Sequence, residues 1–277
     1  MAAVLVRAGF DARAVSEGRV FVGPRRVKRA DEPVHPGDEL TVAPPRADAA
    51  TGATILASTD ELVAADKPAG IPTIPDHAGA AHSLLARVAR TLDVDVSALH
   101  PTSRLDSGVS GVVVFTRSKA ARERLSLARA EGAYRRLYVA IATRAPAVER
   151  GVWDAPVKRV PATSRFATVA RAPAGQALLA VAPQTGRTHQ IRIHASNAGC
   201  PLLGDRTYGG PARLTLSSGR VLEPGRIALH AARVVVPRAD GQPLAVSSPI
   251  PPELLSLWSA LGGDPAAWEG ALACALD

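Results

Sequence analysis

Four stretches of this 277-residue chain combine side chains whose types and spacing could do chemistry. The first, Arg104-Leu105-Asp106-Ser107-Gly108-Val109-Ser110-Gly111, sets one carboxylate in a loop among glycines. Such an aspartate usually shapes a turn, and it becomes a base or nucleophile only where the fold encloses it. The second, Gln184-Thr185-Gly186-Arg187-Thr188-His189-Gln190-Ile191-Arg192-Ile193-His194, reads as a polar turn opening a helix from which Arg187 and Arg192 can face a cleft. Residues 203–210, LGDRTYGG, form the third, and residues 136–140, RLYVA, the fourth. His189 and His194 are five apart, which puts them on different helix faces, so a shared metal ion is not expected and backbone capping or hydrogen bonding is. His100 and His230 read as structural histidines. The two cysteines, Cys200 and Cys274, have no CxxC spacing, which argues against a disulfide framework and against a cysteine zinc site. The sequence offers no glycine-rich nucleotide loop and no metal-ligand cluster, so no cofactor or metal is expected.

The elements that must position these residues follow from apolar periodicity. GVVVFT, from Gly111 to Thr116, is a continuous β-branched run suited to a strand buried on both faces. In SKAARERLSLARAEG, which follows it, Ala121, Leu125 and Ala128 recur at helical spacing and Gly132 sits where a helix would end. Further strands are expected at Tyr138 to Ala142, Ala177 to Ala182 and Arg233 to Val236, and helices near Ser83 to Leu92, His189 to Asn197 and Glu253 to Leu261. Strands and helices do not alternate strictly, so the expected class is α+β with a mixed, largely antiparallel sheet. Ahead of this body lies a small αβ head: an apolar helical start at Val4, Leu5 and Ala8, then short strands at Val20 to Val22 and Leu40 to Val42 set off by Gly23-Pro24 and Pro36-Gly37. APPRADAATG, residues 43–52, reads as a linker between them.

Charge is concentrated. The chain carries 33 Lys and Arg against 25 Asp and Glu, a formal net of +8. Nine basic and only three acidic residues fall between Arg104 and Arg144, with arginine, whose planar fork suits phosphate, in the majority. The head adds Arg25, Arg26, Lys28 and Arg29, expected in one turn between strands. Basic surfaces on two modules point to a long anionic ligand. No run of about 18 apolar residues suggests a membrane span. The first dozen residues do not look like a secretory signal, and cytoplasmic residence is the expectation.

RLDSGVSG, RLYVA, QTGRTHQIRIH, LLGDRTYGG and ALHA (228–231), in that order and with those gaps, resemble the RluA-type family of pseudouridine synthases over roughly residues 55–252. DKPAGIP, Asp66 to Pro72, and the closing SPIPPEL belong to the same likeness. The head is similar to the S-four RNA-binding domain, in the order AGF, GRVFVG, GDEL. The expected organisation is therefore an S-four-like head at 1–46, a synthase domain at 53–258 and a tail at 259–277. That tail, with Trp268 and Cys274, is either a short helix packed on the body or a disordered end.

What the resemblance implies is isomerisation of a specific uridine in ribosomal or transfer RNA, ribosomal RNA being favoured, by a monomer. Asp106 is implied as the catalytic carboxylate, either as nucleophile at C1′ or as base at the 2′ hydrogen. Arg192 is implied as its pairing arginine, Tyr138 as the residue that stacks on the base and helps remove the C5 proton, and Arg104 as the side chain that takes the flipped nucleotide's place. Arg187 and Ile191 are implied in substrate binding, and Arg25, Arg26, Lys28 and Arg29 in binding RNA. The chain departs from the family pattern at Ser103, where a histidine is usual, and at Val109, where a threonine is. Two rival readings are carried with this one. One is a non-catalytic RNA-binding factor assisting ribosome assembly. The other is a glycosidase using Asp106 and Asp205, which needs carboxyls roughly 5 to 9.5 Å apart. Asp205 itself reads as a structural turn carboxylate.

Overall fold

The computed structural model describes residues 4–5, 15, 20–23, 25–27, 29, 31–35, 37–42, 52–75, 82–216 and 218–276. The head contains strands β1 (Val20–Val22), β2 (Arg25–Arg26) and β3 (Leu40–Val42), hydrogen-bonded antiparallel in the order β2-β1-β3. Leu5, Val15, Val20 and Val27 form its small apolar core. Arg25 and Arg26 therefore lie in a strand pairing with Val22 and Phe21, not in the expected turn, because Gly23 turns the chain back two residues earlier. Lys28, Ala8 and nearly all of the linker lie outside the described residues.

The body is built on a ten-stranded sheet. Its strands are β4 (Thr54–Ser58), β5 (Leu62–Lys67), β6 (His100–Pro101), β7 (Ser110–Thr116), β8 (Arg135–Ala142), β9 (Arg150–Trp153), β10 (Ser164–Arg171), β11 (Ala177–Pro183), β14 (Leu229–Pro237) and β15 (Pro243–Ser247). A separate two-residue ribbon pairs β12 (Leu214–Thr215) with β13 (Val221–Leu222). The main order is β4-β5-β7-β14-β8-β11-β10-β9, with β6 beside β7 and β15 beside β14. Helices α1 (Leu84–Thr91), α2 (Lys119–Ala130), α3 (Gln190–Asn197), α4 (Pro252–Ala260) and α5 (Ala267–Ala273) cover it. Ser83 and Ser118 accept the N–H of Ala86 and Ala121, and so cap the first turns of α1 and α2.

The period-two alternation of the strands divides the apolar residues between two faces. Tyr138, Ala140 and Ala142 of β8, with Val113 and Phe115 of β7, join α1 and α3 in one core. Val139 and Ile141 face the other way and meet Trp258 of α4 and Trp268 of α5. Val112 and Val114, also on that reverse face, pack with Ala121, Leu125 and Ala128 of α2. Both faces are covered, which is why β7 and β8 read as continuous apolar runs. Of the expected tail, the described residues 259–276 are not a detached end, since Trp268 is 5% exposed within the core of α4.

Among the pairings of these strands, only β7 with β14 is parallel, with Ser110 opposite His230 and Gly111 opposite Ala231. Beyond this joint β14 exchanges β7 for β15, pairing Arg233 to Pro237 with Ser247 to Pro243. His230, fully buried, is bonded through Nδ1 to Ser110 Oγ at 2.8 Å, and Arg226 donates to the same Oγ at 2.6 Å. Burial pushes the imidazole down to about 4, so it stays neutral and structural. The expected strand at Arg233 begins four residues earlier, at Leu229, and the extra residues form the joint.

Gly111 takes a φ of +117°, and a Cβ there would run into the carbonyl oxygen and nitrogen of Ala231. Gly111→Ala is expected to destabilise the protein by about 3 kcal/mol or more, read as a lowered urea midpoint. An unchanged midpoint would mean that the joint has slack.

Candidate active site

The loop between β6 and β7 holds Asp106 from both sides. Ahead of it, the Leu105 N–H donates to Thr73 Oγ1 at 2.9 Å, and that hydroxyl donates back to the Leu105 carbonyl at 3.0 Å. Behind it, the Val109 N–H closes a turn on the Asp106 carbonyl at 3.0 Å. The Ser107 carbonyl accepts from the Gly70 N–H at 2.6 Å and lies 3.4 Å from Lys67 Nζ. Lys67 also donates to the carbonyls of Ile71, at 2.6 Å, and Pro68, at 3.1 Å. One buried ammonium thus fastens the segment 66–72 to the aspartate loop. Burial first, and then the charge of Arg226, pull its pKa down to about 7, against the opposing pull of Asp106 and Asp66.

With its backbone fixed, the Asp106 side chain reaches a guanidinium from α3. Arg192 Nη1 donates to Asp106 Oδ2 at 2.8 Å, while Nε and Nη2 donate to the two oxygens of Asp205, each at 2.7 Å. The planar fork of arginine permits this three-point attachment, which an ammonium cannot reproduce. Burial works against the Arg192 charge, but hydrogen bonds and charge from Asp205 and Asp106 outweigh it and raise its pKa. Asp205 also forms a turn, its carbonyl accepting from Tyr208 and Gly210, yet its carboxylate is 1% exposed and committed to Arg192. A turn carboxylate alone is therefore an incomplete description of it. Because both Asp205 oxygens are occupied and the residue does not line the cavity, it cannot serve as the second acid of a glycosidase.

The cavity above Asp106 has a volume of about 340 Å³, within the roughly 300–1,000 Å³ range of small-ligand sites. Tyr138, Ile191, Leu229 and Val109 supply apolar wall, and Arg104, Arg129, Arg136, Arg187 and Arg192 line it with Asp106 as their only acidic counterpart among the described residues. Tyr138 is 8% exposed, and burial raises its pKa, so the phenol is neutral. Arg104 is exposed at the rim, as is Arg187, whose Nε donates to the Pro161 carbonyl. Gln190 fixes this turn, accepting from Thr185 Oγ1 and the Arg187 N–H and donating to Thr163 and Ser164.

All six body residues expected from sequence, Arg104, Asp106, Tyr138, Arg187, Ile191 and Arg192, line this one cavity. Ser103 and Val109, the two departures, line it as well. Of the head residues, Arg29 is exposed and paired with Asp31. His194 bonds to Ala155 O and Ser164 Oγ, as a structural histidine does. His189 departs from expectation: it stands at the N-cap position of α3 without a side-chain cap bond, and its imidazole approaches Asp106 and Tyr208 instead. Arg129 was visible in the sequence only as part of a basic stretch, and Arg136 as the opening residue of RLYVA with no role attached to it. Their guanidiniums lie 4.6 and 5.9 Å from the Tyr134 ring centre and hold the carbonyls of Thr102, Pro183 and Thr185.

A family model described as RNA pseudouridylate synthase matches residues 61–197. The chain is 30% identical over 221 residues to an RNA pseudouridine synthase of Synechocystis sp., covering 73% of this chain and 75% of that protein. It is 31% identical over 235 residues to the ribosomal large subunit pseudouridine synthase D of Xanthomonas campestris, covering 76% and 70%. To the dual-specificity RNA pseudouridine synthase RluA of Escherichia coli it is 29% identical over 201 residues, covering 66% and 85%. The fold is shared with the human RNA pseudouridylate synthase domain containing 4, with a TM-score of 0.63 at 24% identity over 76% of this chain and 93% of that one.

The depressed pKa of Lys67 has a measurable consequence. Below about pH 7 its ammonium is charged in both folded and unfolded chains and its burial cost is felt in full. Between there and its ordinary value of 10.5 the unfolded chain holds a proton that the folded one has released, so this residue's contribution to stability rises with pH. Urea unfolding from pH 6 to 9.5 should show the native protein gaining on Lys67→Met above pH 7, by on the order of 1 kcal/mol per pH unit. Parallel curves would refute a titrating Lys67.

Proposed function

The chain belongs to the RluA-type RNA pseudouridine synthases, and on that premise we propose how its cavity performs the isomerisation. The N1–C1′ bond of a uridine breaks, the base turns while held, and C5 bonds to C1′. A proton leaves C5 and one arrives at N1, so the product is an isomer and no co-reactant is consumed. Asp106 is the catalytic carboxylate. Acting at C1′ or at the 2′ hydrogen, it must be an anion, and the contact that supports this most directly is the 2.8 Å bond from Arg192, itself braced by Asp205. Tyr138, neutral and forming a wall of the cavity, stacks on the uracil and helps remove the C5 proton as a relay, its phenol oxygen accepting that proton as its own hydroxyl proton passes to solvent.

A uridine reaches Asp106 only by leaving its stack, which costs a few kcal/mol and less in an unpaired loop. Arg104, exposed at the rim, fills the place the base vacates. Arg187 and Ile191 hold the nucleotide at the cavity mouth, with Arg129 and Arg136 offering further cationic contacts to the backbone. The head, residues 1–46, is an S-four-like RNA-binding module, with Arg25, Arg26, Lys28 and Arg29 as its phosphate contacts. Residues 53–258 carry the catalytic function, with the tail from 259 packed on them through Trp268 and Ala271. Ribosomal RNA is the favoured substrate, supported by the 31% identity to a protein named for the large ribosomal subunit. The cavity's described lining comes from one chain, in keeping with a monomer, and the cytoplasm is the compartment proposed for it.

Incubation with cellular RNA labelled with tritium at uridine C5 should release label. Asp106→Asn, which keeps shape and an acceptor for Arg192, should lower single-turnover release by about a thousandfold or more while leaving RNA affinity within about twofold. Arg192→Lys, which cannot bridge two carboxylates, should lose about a hundredfold. Label release by Asp106→Asn at the native rate would sink the assignment of the carboxylate.

A further inference from the structure

Two side chains beside the Asp106–Arg192 pair, His189 and Tyr208, do not enter the isomerisation steps. His189 stands between the two others: its Nε2 lies 3.5 Å from Asp106 Oδ1 and its Nδ1 is 2.8 Å from the Tyr208 hydroxyl. The Tyr208 ring meets the imidazole edge-on, with centroids 5.6 Å apart and planes at 77°, and the Arg192 guanidinium lies 4.9 Å from the centre of the same ring. Tyr208 therefore touches both groups that flank the carboxylate.

The backbone at His189 is strained. Its φ is +58°, a left-handed conformation that costs a residue other than glycine on the order of 1 kcal/mol. Helix capping does not account for it, since no side-chain cap bond is made. What the conformation achieves is to leave the imidazole lining the cavity beside Asp106.

Hydrogen-bond logic fixes the tautomer. Were Nδ1 to carry the proton, the bare Nε2 lone pair would face a carboxylate oxygen, which is repulsive. With the Tyr208 hydroxyl donating to Nδ1, the proton sits on Nε2 and its N–H faces Asp106 Oδ1. Arg192 meanwhile holds Oδ2. At 3.5 Å the His189 contact is looser than a hydrogen bond, so Oδ1 is left able to meet the sugar, while the N–H dipole still resists rotation of the carboxyl group.

We propose that His189 and Tyr208 form a positioning pair for Asp106: Tyr208 sets the imidazole tautomer, and His189 sets the plane of the carboxylate so that Oδ1 points at the flipped nucleotide. The proposal rests on Asp106 being the catalytic carboxylate. It accounts for the strained φ at residue 189, for the Tyr208 hydroxyl bond and for the asymmetric environment of the two carboxylate oxygens.

The test uses the full chain, RNA labelled with tritium at uridine C5, single-turnover rates at saturating enzyme, and RNA affinity by filter binding. His189→Gly suits the left-handed backbone and removes only the imidazole; it should slow isomerisation by about 10- to 100-fold with affinity within about twofold. His189→Asn, which tolerates the same φ and supplies an amide N–H, should recover at least about threefold of that loss. Tyr208→Phe should cost about fivefold, and adding it to His189→Gly should cost less than about twofold more, because Tyr208 acts only through the imidazole. A His189→Gly variant at the native rate, no recovery in His189→Asn, losses that multiply in the double variant, or a fall in affinity matching the fall in rate would each overturn the pair. With the native protein active and Asp106→Asn inactive in the same assay, such a result would leave the assignment of Asp106 standing. Absence of label release from the native protein would instead count against the proposed function.

Discussion

One guanidinium shared by two carboxylates organises the site. Arg192 is buried, and a buried charge with a missing partner would cost several kcal/mol. Asp205, 13 residues on, takes two of its N–H groups, and Asp106, 86 residues earlier, takes the third direction. The cluster is satisfied only when three distant segments meet to within a few tenths of an ångström. Asp205 is sealed from solvent and Asp106 is 27% exposed, so the same cation holds one carboxylate as a fixed brace and presents the other to the cavity.

Around this cluster the fold supplies stiffness. The parallel joint of β7 with β14 sits directly after the Asp106 turn, and Ser110 there is bonded both to a neutral His230 and to Arg226. On the other side of the loop, Lys67 gathers the carbonyls of Pro68, Ile71 and Ser107. Arginines line the cavity, which favours an anionic ligand, and Tyr138, Ile191 and Leu229 give it an apolar wall.

Much of this was legible in the residue order. Strands β7, β8 and β11 announce themselves as long apolar runs because each is covered on both faces, and α2 by the spacing of Ala121, Leu125 and Ala128. The start of β14 was hidden, since a histidine interrupts its apolar pattern and is tolerated only through a partner 120 residues away. Short strands such as β2, β4 and β9 hold too few residues for a period to emerge, and the Gly23-Pro24 punctuation made β2 look like loop. In the site, the ordered motifs singled out six residues that share one cavity, but local sequence could not reveal what each side chain touches. Asp205 looked like turn chemistry because the turn is local while its ion pair is not. His189 looked like a cap for the same reason: its helix is adjacent in sequence, whereas Tyr208 and Asp106 are adjacent only in space.

Tyr138 and Val139 are consecutive residues on opposite sides of one strand, and this couples the cavity to the back of the molecule. Val139 and Ile141 rest on Trp258 and Trp268, so the two last helices serve as the ballast against which the aromatic wall of the cavity is held in place. Stripping them away would bare the reverse of β8, and large apolar side chains each worth about 1.5–3 kcal/mol would lose their cover. The aromatic wall of the cavity is thereby anchored by residues more than a hundred positions later in the chain, none of which lines the cavity itself.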